Sequence, residues 1–268
     1  MKPTCLLMCA YLTFLNLSAQ DGHFTAGARH RGLGGTSLTL TDHWSVFNNP
    51  GALSGNESTA FASYFSRFSS KAFQVMTGGY VHHAKWVTGG LNFFRFGDDL
   101  FNQQRLGLAL SRQIHSVSLG GNIAIIQYHV ESQDTRRVMT YDFGGLVTLI
   151  PKLHLAASIS NMNEPQLSLS DEIPFIMKTG LSYRPQDGLM LNIEFKKEID
   201  RSGDLKFGLE YAVHSLAKLR TGFSSHSKSM AFGFGISPGK LQFDYAFSYA
   251  NPIGVIHELS LAYKPRQR

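Results

Sequence analysis

The chain has 268 residues, 43% of them hydrophobic, and a formal net charge of +6 at pH 7. A basic balance can indicate nucleic-acid binding, but the chain contains no run of five Lys and Arg residues. Both cysteines, Cys5 and Cys9, lie close to the N-terminus. The rest of the chain therefore has neither a disulfide nor a cysteine-based metal site.

Residues 1–20 have the composition of a secretory signal peptide. Lys2 is followed by an apolar run from Cys5 to Leu17, which ends in the small residues Ser18 and Ala19. The run is too short for a transmembrane helix. We therefore expect an exported protein, with cleavage after Ala19 or Gln20 and with no nucleic-acid partner.

Residues 21–54 form the next unit, and their glycines are crowded at positions 27, 32, 34 and 35. Glycine permits positive φ angles and close backbone approach. Asp42 precedes the apolar run from His43 to Phe47, as the N-cap of a single helical turn would. Asn49-Pro50-Gly51 then ends that turn. The pattern predicts a compact irregular segment, with a surface loop as the alternative.

From Ser58 onward, apolar residues recur with a period of two, which is typical of β-strands. The clearest strand runs from Lys240 to Ala250. Its apolar face has residues Leu241, Phe243, Tyr245, Phe247 and Tyr249, and its other face has Gln242, Asp244, Ala246 and Ser248. Counting such segments gives fourteen strands between residues 55 and 268, so the fold class is all-β.

A soluble barrel or sandwich turns its apolar face inward, whereas a membrane barrel turns it towards lipid. The segments here span about ten residues, the length that a membrane strand needs, and they are joined by short turns. We therefore predict a transmembrane antiparallel β-barrel. The charged residues on its alternate face would line a wet lumen: Lys178, Glu194, Lys206, Glu210, Arg220 and Asp244.

The motifs of the chain resemble those of the FadL-like outer-membrane barrels, in particular the PorV/PorQ family associated with type IX secretion. The N-terminal likeness rests on Gly27-Ala28-Arg29, Gly32, Gly34-Gly35, Asp42 and Asn49-Pro50-Gly51. Later elements continue it at Gly208-Leu209-Glu210-Tyr211, Leu219-Arg220-Thr221-Gly222-Phe223 and the run from Gly254 to Leu261. The chain departs from the family in its short loops and in its basic tail from Lys264 to Arg268.

The resemblance implies that residues 21–54 form a hatch, or plug, inside a barrel in the outer membrane of a Gram-negative bacterium. It implies first a non-enzymatic accessory of type IX secretion, which binds cargo proteins or a secretion-system partner. The alternative is a FadL-like passive transporter of a hydrophobic ligand, and a third function is an outer-membrane lipid-modifying enzyme. Long loops would favour the secretion accessory. An apolar pocket beside the plug would favour the transporter, and a Ser–His–acid cluster would favour the enzyme.

The sequence indicates no catalytic, cofactor or metal site. His82 and His83 are adjacent on a strand and face opposite sides, and we expect His257 to make an internal hydrogen bond. The hairpin Ser224-Ser225-His226-Ser227 and the carboxylate pairs Asp98-Asp99 and Asp171-Glu172 read as solvated turns, although the pairs could also bind Ca²⁺ weakly. We expect the aromatic residues Trp86, Phe93, Phe94, Phe96, Tyr245 and Tyr249 to form a lipid-facing band, with the wall of a ligand site as the alternative.

Overall fold

The computed structural model of the protein describes residues 26–67, 73–131, 134–166, 173–199, 201–250 and 254–265. The predicted signal peptide, residues 1–20, lies outside the described residues, as do residues 21–25 of the predicted plug. The acidic pair Asp171-Glu172 and residues 266–268 of the basic tail lie outside them as well.

The described part of the chain forms one antiparallel sheet of fourteen strands that closes into a barrel. The predicted all-β barrel of about fourteen strands is thus confirmed. The strands are β1 (Thr59–Arg67), β2 (Gln74–His83), β3 (Thr88–Gly97), β4 (Phe101–Ile114), β5 (Val117–Val130), β6 (Arg136–Ile150), β7 (Leu153–Ser160), β8 (Ile176–Gln186), β9 (Leu189–Glu198), β10 (Asp204–His214), β11 (Ala217–Ser224), β12 (Ser229–Ile236), β13 (Leu241–Ala250) and β14 (Gly254–Tyr263).

The barrel closes where the first strand pairs with the last. On β1, Ser63 lies opposite Ser260 of β14 on one side and opposite Thr77 of β2 on the other. The remaining strands pair in sequence order. Closure removes the two free edges of the sheet, which a membrane requires because lipid offers no partner to an unpaired backbone group.

The two faces of the sheet decide between a soluble and a membrane barrel. On β4, Leu106, Leu108 and Leu110 point outward and are 59%, 50% and 52% exposed, whereas Arg105 points inward and is 3% exposed. An apolar outer face around a polar inner face is the pattern of a membrane barrel. A soluble barrel would show the reverse pattern.

The two ends of the barrel differ in their connections. At one end the strands are joined by short turns at residues 115–116, 151–152, 187–188 and 215–216. At the other end some connections are longer, such as residues 131–135 and 161–175. Outer-membrane barrels keep short turns in the periplasm and longer loops outside the cell. We therefore assign the turn end to the periplasm and the loop end to the exterior. None of the described helices is long and apolar enough to cross a membrane.

Residues 26–58, here called the inner segment, lie within the barrel. They contain helix α1 (Ala28–Gly32), helix α2 (Ser45–Asn48) and a 3₁₀ helix (Pro50–Leu53). Helix α1 contacts β11 to β14, and the 3₁₀ helix contacts β4 to β6. Because these two groups of strands lie on opposite sides of the barrel, the inner segment crosses the lumen from wall to wall.

The local structure of the inner segment departs from the sequence prediction in three ways. Asp42 is not the N-cap, since α2 follows Trp44, whose N–H donates to Asp42 Oδ1 at 2.9 Å. Asn49 does more than end a turn, because its Oδ1 accepts the N–H of Gly51 at 3.0 Å and caps the 3₁₀ helix. Helix α1 lies in a stretch that its glycine content predicts to be irregular.

Candidate functional site

The inner segment rests on glycines of the barrel wall. Gly222 of β11 and Gly208 of β10 are paired neighbours, and both lie against the chain between residues 33 and 36. On the opposite wall, Gly144 of β6 and Gly120 of β5 lie against the chain between residues 49 and 51. A side chain at any of these wall positions would occupy space that the inner segment fills, so the close approach depends on glycine.

The glycines of the predicted plug motif are on the other side of the same contacts. Gly27 and Gly34 have φ angles of 105° and 66°, which L-residues with side chains rarely adopt. Gly32 meets Gly233, Gly34 meets Gly222, Gly35 meets Lys206, and Gly51 meets Gly144 and Gly145, while Gly27 lies against Trp44 of the inner segment. At Gly32, Gly34 and Gly51, backbone thus packs directly on backbone.

Asn49 and Pro50 hold the 3₁₀ helix in place. Asn49 is fully buried, and its Nδ2 donates to the carbonyl of Leu38 at 2.7 Å and to that of Gly145 in β6 at 3.3 Å. Pro50 begins the 3₁₀ helix, and its carbonyl lies beside Gly120 of β5. Asn49 therefore ties two parts of the inner segment to each other and to the wall.

Arg29 joins the inner segment to a buried charge network. Its guanidinium pairs with Asp42 at 3.0 Å and makes two hydrogen bonds of 2.8 Å to the carboxylate of Glu210. Arg220 pairs with Glu210 at 2.7 Å and with Asp244 at 2.6 Å. Burial alone would lower the pKa of Arg29, but the carboxylates of Glu210 and Asp42 outweigh it and raise that pKa. Arg29 therefore stays charged.

Glu194, Lys206 and Lys178 contact the inner segment nearby. Glu194 Oε2 accepts the N–H groups of Ser37 and Leu38 at 2.7 and 3.0 Å. Lys206 donates to the carbonyl of Gly35 at 3.4 Å, and Lys178 donates to that of Asn48 at 3.5 Å. The predicted lumen-facing residues on β8 to β13 all lie on the inner face, buried beside the inner segment.

Sequence reasoning missed a second anchor, Glu258 of β14. This carboxylate accepts the N–H of Gly27 at 3.0 Å, pairs with Arg31 and accepts the hydroxyl of Ser63 at 3.1 Å. On β14 the apolar Leu259 belongs to the outward face, so its neighbour Glu258 belongs to the inward face. This alternation could have identified Glu258 as a lumen-facing residue. Arg31 also places its guanidinium 4.3 Å from the centre of the Phe65 ring, which is a cation–π distance.

Across the lumen from the charges is a set of inward apolar side chains, here called the apolar half. It joins wall residues of β1 to β6 and β14 to Trp44, Val46, Phe47 and Leu53 of the inner segment. Its wall residues include Phe61, Phe65, Val75, Phe94, Ile126, Tyr128 and Ile256, with Phe96, Phe101 and Val138 packed against them. The lipid-facing band predicted for Phe94 and Phe96 is therefore wrong, because both point inward, whereas Phe93 points outward.

A polar opening of about 200 Å³ lies at the turn end, between the inner segment and the wall. Arg29, Asp42 and His43 line it from the segment, and Lys218 and Lys264 line it from the wall side. His43 itself is 3% exposed and packs on Phe61 at 4.9 Å between ring centroids. Burial lowers the pKa of His43 to about 4, so this histidine is neutral at physiological pH.

The remaining candidates for chemistry that the structure describes form no reactive cluster. His226 Nδ1 lies 2.9 Å from Ser202 Oγ, but Asp204 accepts the backbone N–H of His226, so these groups do not make a Ser–His–acid relay. Among the described residues no group of His, Cys, Asp and Glu could hold a metal ion. Asp98 accepts the N–H groups of Leu100 and Phe101 in a turn.

The hydrogen bond predicted for His257 lies elsewhere than expected. Its Nδ1 is 2.7 Å from the hydroxyl of Tyr245, and both side chains are on the outer face of the barrel. His257 thus has a hydrogen-bond partner within the chain, on the outer face of the barrel and not in the lumen. His82 and His83 are both exposed, and His83 Nδ1 lies 3.2 Å from Thr88 Oγ1.

No protein-family model and no curated protein matches the sequence of this chain. Solved structures match its fold. The CymD monoaromatic hydrocarbon channel has a TM-score of 0.69 at 10% identity over 90% of this chain and 98% of CymD. The TodX deltaS2S3 mutant, a monoaromatic hydrocarbon channel, has a TM-score of 0.72 at 12% identity, over 90% of this chain and 99% of TodX. A FadL homologue from Pseudomonas aeruginosa has a TM-score of 0.69 at 12% identity, over 90% of this chain and 98% of the homologue.

At these identities the comparisons establish the fold alone. They confirm the FadL-like part of the resemblance, and they contain nothing on PorV, PorQ or type IX secretion, which stay predictions. The chain has the fold of the FadL-like outer-membrane channels.

Proposed function

We propose that the protein is a passive outer-membrane channel for hydrophobic small molecules, closed by the inner segment acting as a plug. The apolar half of the lumen carries this proposal. Phe65 and Phe94 belong to it on the wall, and Phe47 belongs to it on the inner segment. These apolar side chains extend from the loop end of the barrel down to the plug, and the buried ion pair of Arg105 and Asp142 on β4 and β6 interrupts them.

The lining favours an apolar solute over a polar one. Water-filled pores have polar inner faces, and a sugar or ion would have to give up its hydration against aromatic rings. A hydrophobic solute that covers about 150 Å² of apolar surface gains about 4 kcal/mol. Because the inner segment crosses the lumen, passage also requires that segment to shift.

The solved structures of the same fold are consistent with this function. CymD and a TodX mutant are described as monoaromatic hydrocarbon channels. We take from them the class of solute, a small apolar molecule. The function as a type IX secretion accessory remains a prediction from the resemblance, and it gains little support from loops as short as residues 98–100 and 225–228.

Uptake by cells tests the proposal. The protein is produced in a Gram-negative host whose outer membrane slows the entry of toluene, and entry of radiolabelled toluene and radiolabelled glucose is measured. We expect faster toluene entry and unchanged glucose entry. The variant Phe94→Gln puts an amide into the apolar half and should lower the added toluene uptake about tenfold, the effect of losing roughly 50 Å² of apolar contact.

Ser229→Gln is the matched control, since Ser229 stands at the mouth of the polar side, on β12. It should transport toluene like the wild type. The transport function would be wrong if toluene entered no faster than in host cells without the protein. If exported proteins were crosslinked to the barrel as well, the function as a secretion accessory would take its place.

A further inference from the structure

The outer wall of the barrel carries a groove that the transport function does not use. It spans β8 to β12 and has a volume of about 600 Å³. Paired neighbours form its two rows, one from Leu181 through Ile193 to Met230 and the other from Tyr183 through Thr221 to Phe232. The groove is open towards the outside of the barrel along its length.

One outward position of the groove is small. Thr221 is the one short side chain in these rows, and its hydroxyl is turned to the carbonyl of Ala231 at 3.2 Å, which leaves its methyl group towards the groove. The backbone of Gly208 and Gly222 also borders the groove, although the Cβ direction of both glycines points into the lumen. Large side chains therefore surround a recess in the lipid-facing surface.

Basic residues stand at the loop end directly above this groove. Lys197 continues the outward row of Leu191, Ile193 and Phe195 on β9, and its ammonium donates to a neutral partner, the carbonyl of Arg201. Lys228 is exposed and lies two residues from Met230 at the start of β12. Successive outward residues are about 7 Å apart, so Lys197 stands about 14 Å beyond Ile193, past Phe195, and Lys228 stands about 7 Å beyond Met230.

The carboxylates of this rim are already engaged. Glu198 is 6% exposed and pairs with Lys196 at 2.6 Å and with Arg201 at 3.2 Å. Asp204 accepts the hydroxyls of Ser224 and Ser225 and the N–H of His226. Asp200 lies outside the described residues. The described rim therefore carries an excess of positive charge.

We propose that this groove binds one lipid of the outer leaflet, with an acyl chain against Thr221 and a phosphate headgroup at Lys197 and Lys228. The surface already faces lipid, so the chain continues an existing contact. Lysines at a membrane surface attract anionic headgroups, and the loop end faces the leaflet whose lipid the groove would hold. The proposal depends on the barrel lying in a membrane and not on what passes through it.

Native mass spectrometry of the delipidated protein tests the site. The probes are phosphatidic acid and phosphatidylcholine with the same saturated fourteen-carbon chains, titrated separately. Because a basic residue near the surface contributes about fivefold, two lysines should give phosphatidic acid roughly 25-fold tighter binding. Lys197→Gln with Lys228→Gln should reduce its affinity to that of phosphatidylcholine. Thr221→Phe fills the recess and should weaken both lipids about tenfold.

Two variants serve as controls. Ala62→Phe adds an aromatic ring to the outward face of β1, far from the groove, and Arg137→Gln removes a charge from the loop end of β6. Neither should change lipid binding. The proposal is overturned if wild-type protein binds the two lipids equally, if Thr221→Phe leaves binding intact, or if a second protein copy is held on this face and lost with Thr221→Phe.

Discussion

Gly222 stands where the barrel wall and the inner segment touch through backbone alone. A Cβ atom at this position would meet the amide nitrogen of Gly34 and the carbonyl carbon of Leu33. Because both are backbone atoms, no side-chain rotation can make room. We expect Gly222→Ala to lower the free energy of unfolding by about 1–3 kcal/mol, the cost of overpacking a filled interior.

Urea unfolding of the protein in lipid vesicles measures this effect. Gly121→Ala is the matched control, since a Cβ at this β5 glycine would lie 3.6 Å from the carbonyl of Asp142, an ordinary contact. It should be neutral or slightly stabilising, because alanine restricts the unfolded chain. A similar loss of stability in the two variants would show that Gly222 is not a special point of contact.

The charged residues show how far sequence reasoning reaches at this scale. Alternation divides β10 into an apolar and a polar face, and Glu210 belongs to the polar one. It does not reveal that Arg29, which is 181 residues away in the chain, binds this carboxylate. Such a partner depends on how the inner segment lies in the closed barrel, and no local pattern encodes that path.

Among the elements, the strands and the helical turn before Asn49 could be predicted, whereas helix α1 could not. A period of two persists through β13, Leu241–Ala250, and it is a local property that barrel closure preserves. Helix α1 has five residues without an apolar repeat. Its N-terminal end is held by β14, where Glu258 and Ser260 accept the N–H groups of Gly27 and Ala28. Tertiary contacts therefore determine this helix.

The two buried histidines of the inner segment make its attachment dependent on pH. Burial lowers the pKa of His43 to about 4 and moves that of His30 in the same direction. A released segment would regain the ordinary pKa near 6.5 and bind more protons in acid. The attachment is therefore strongest above pH 6.5 and weakens as the pH falls towards 4. When the pH falls from 7.5 to 5, His43 alone should lower the free energy that holds the inner segment in the barrel by about 2 kcal/mol.

Hydrogen–deuterium exchange measures the attachment of the inner segment as the protection of residues 26–58, corrected for the intrinsic exchange rate at each pH. His43→Phe keeps a ring against Trp44 and Phe61 and should reduce the loss of protection in acid. Some dependence should persist through His30. The exposed His226, changed to Gln, serves as the control and should behave like the wild type. A pH-independent wild-type segment would contradict the prediction.

As a whole, the molecule is polarised in two directions. Around its axis, the apolar half, which also holds the buried pair of Arg105 and Asp142, faces the more densely charged strands β8 to β13. Along its axis, short turns such as residues 215–216 are at one end and loops such as residues 199–203 are at the other. The second asymmetry sets the orientation in the membrane, and both the direction of uptake and the leaflet of the proposed lipid depend on it.

Thiol labelling in intact cells tests that orientation, because the chain beyond its predicted signal peptide contains no cysteine. Ser202 and Ser215 are both exposed but lie at opposite ends of β10. We expect Ser202→Cys to react with a polyethylene-glycol maleimide too large to cross the outer membrane, and Ser215→Cys to react only after lysis. The two variants control each other, since both thiols must label fully in lysed cells. If only Ser215→Cys were labelled in intact cells, the barrel would have the opposite orientation. Lys197 and Lys228 would then face the periplasmic leaflet.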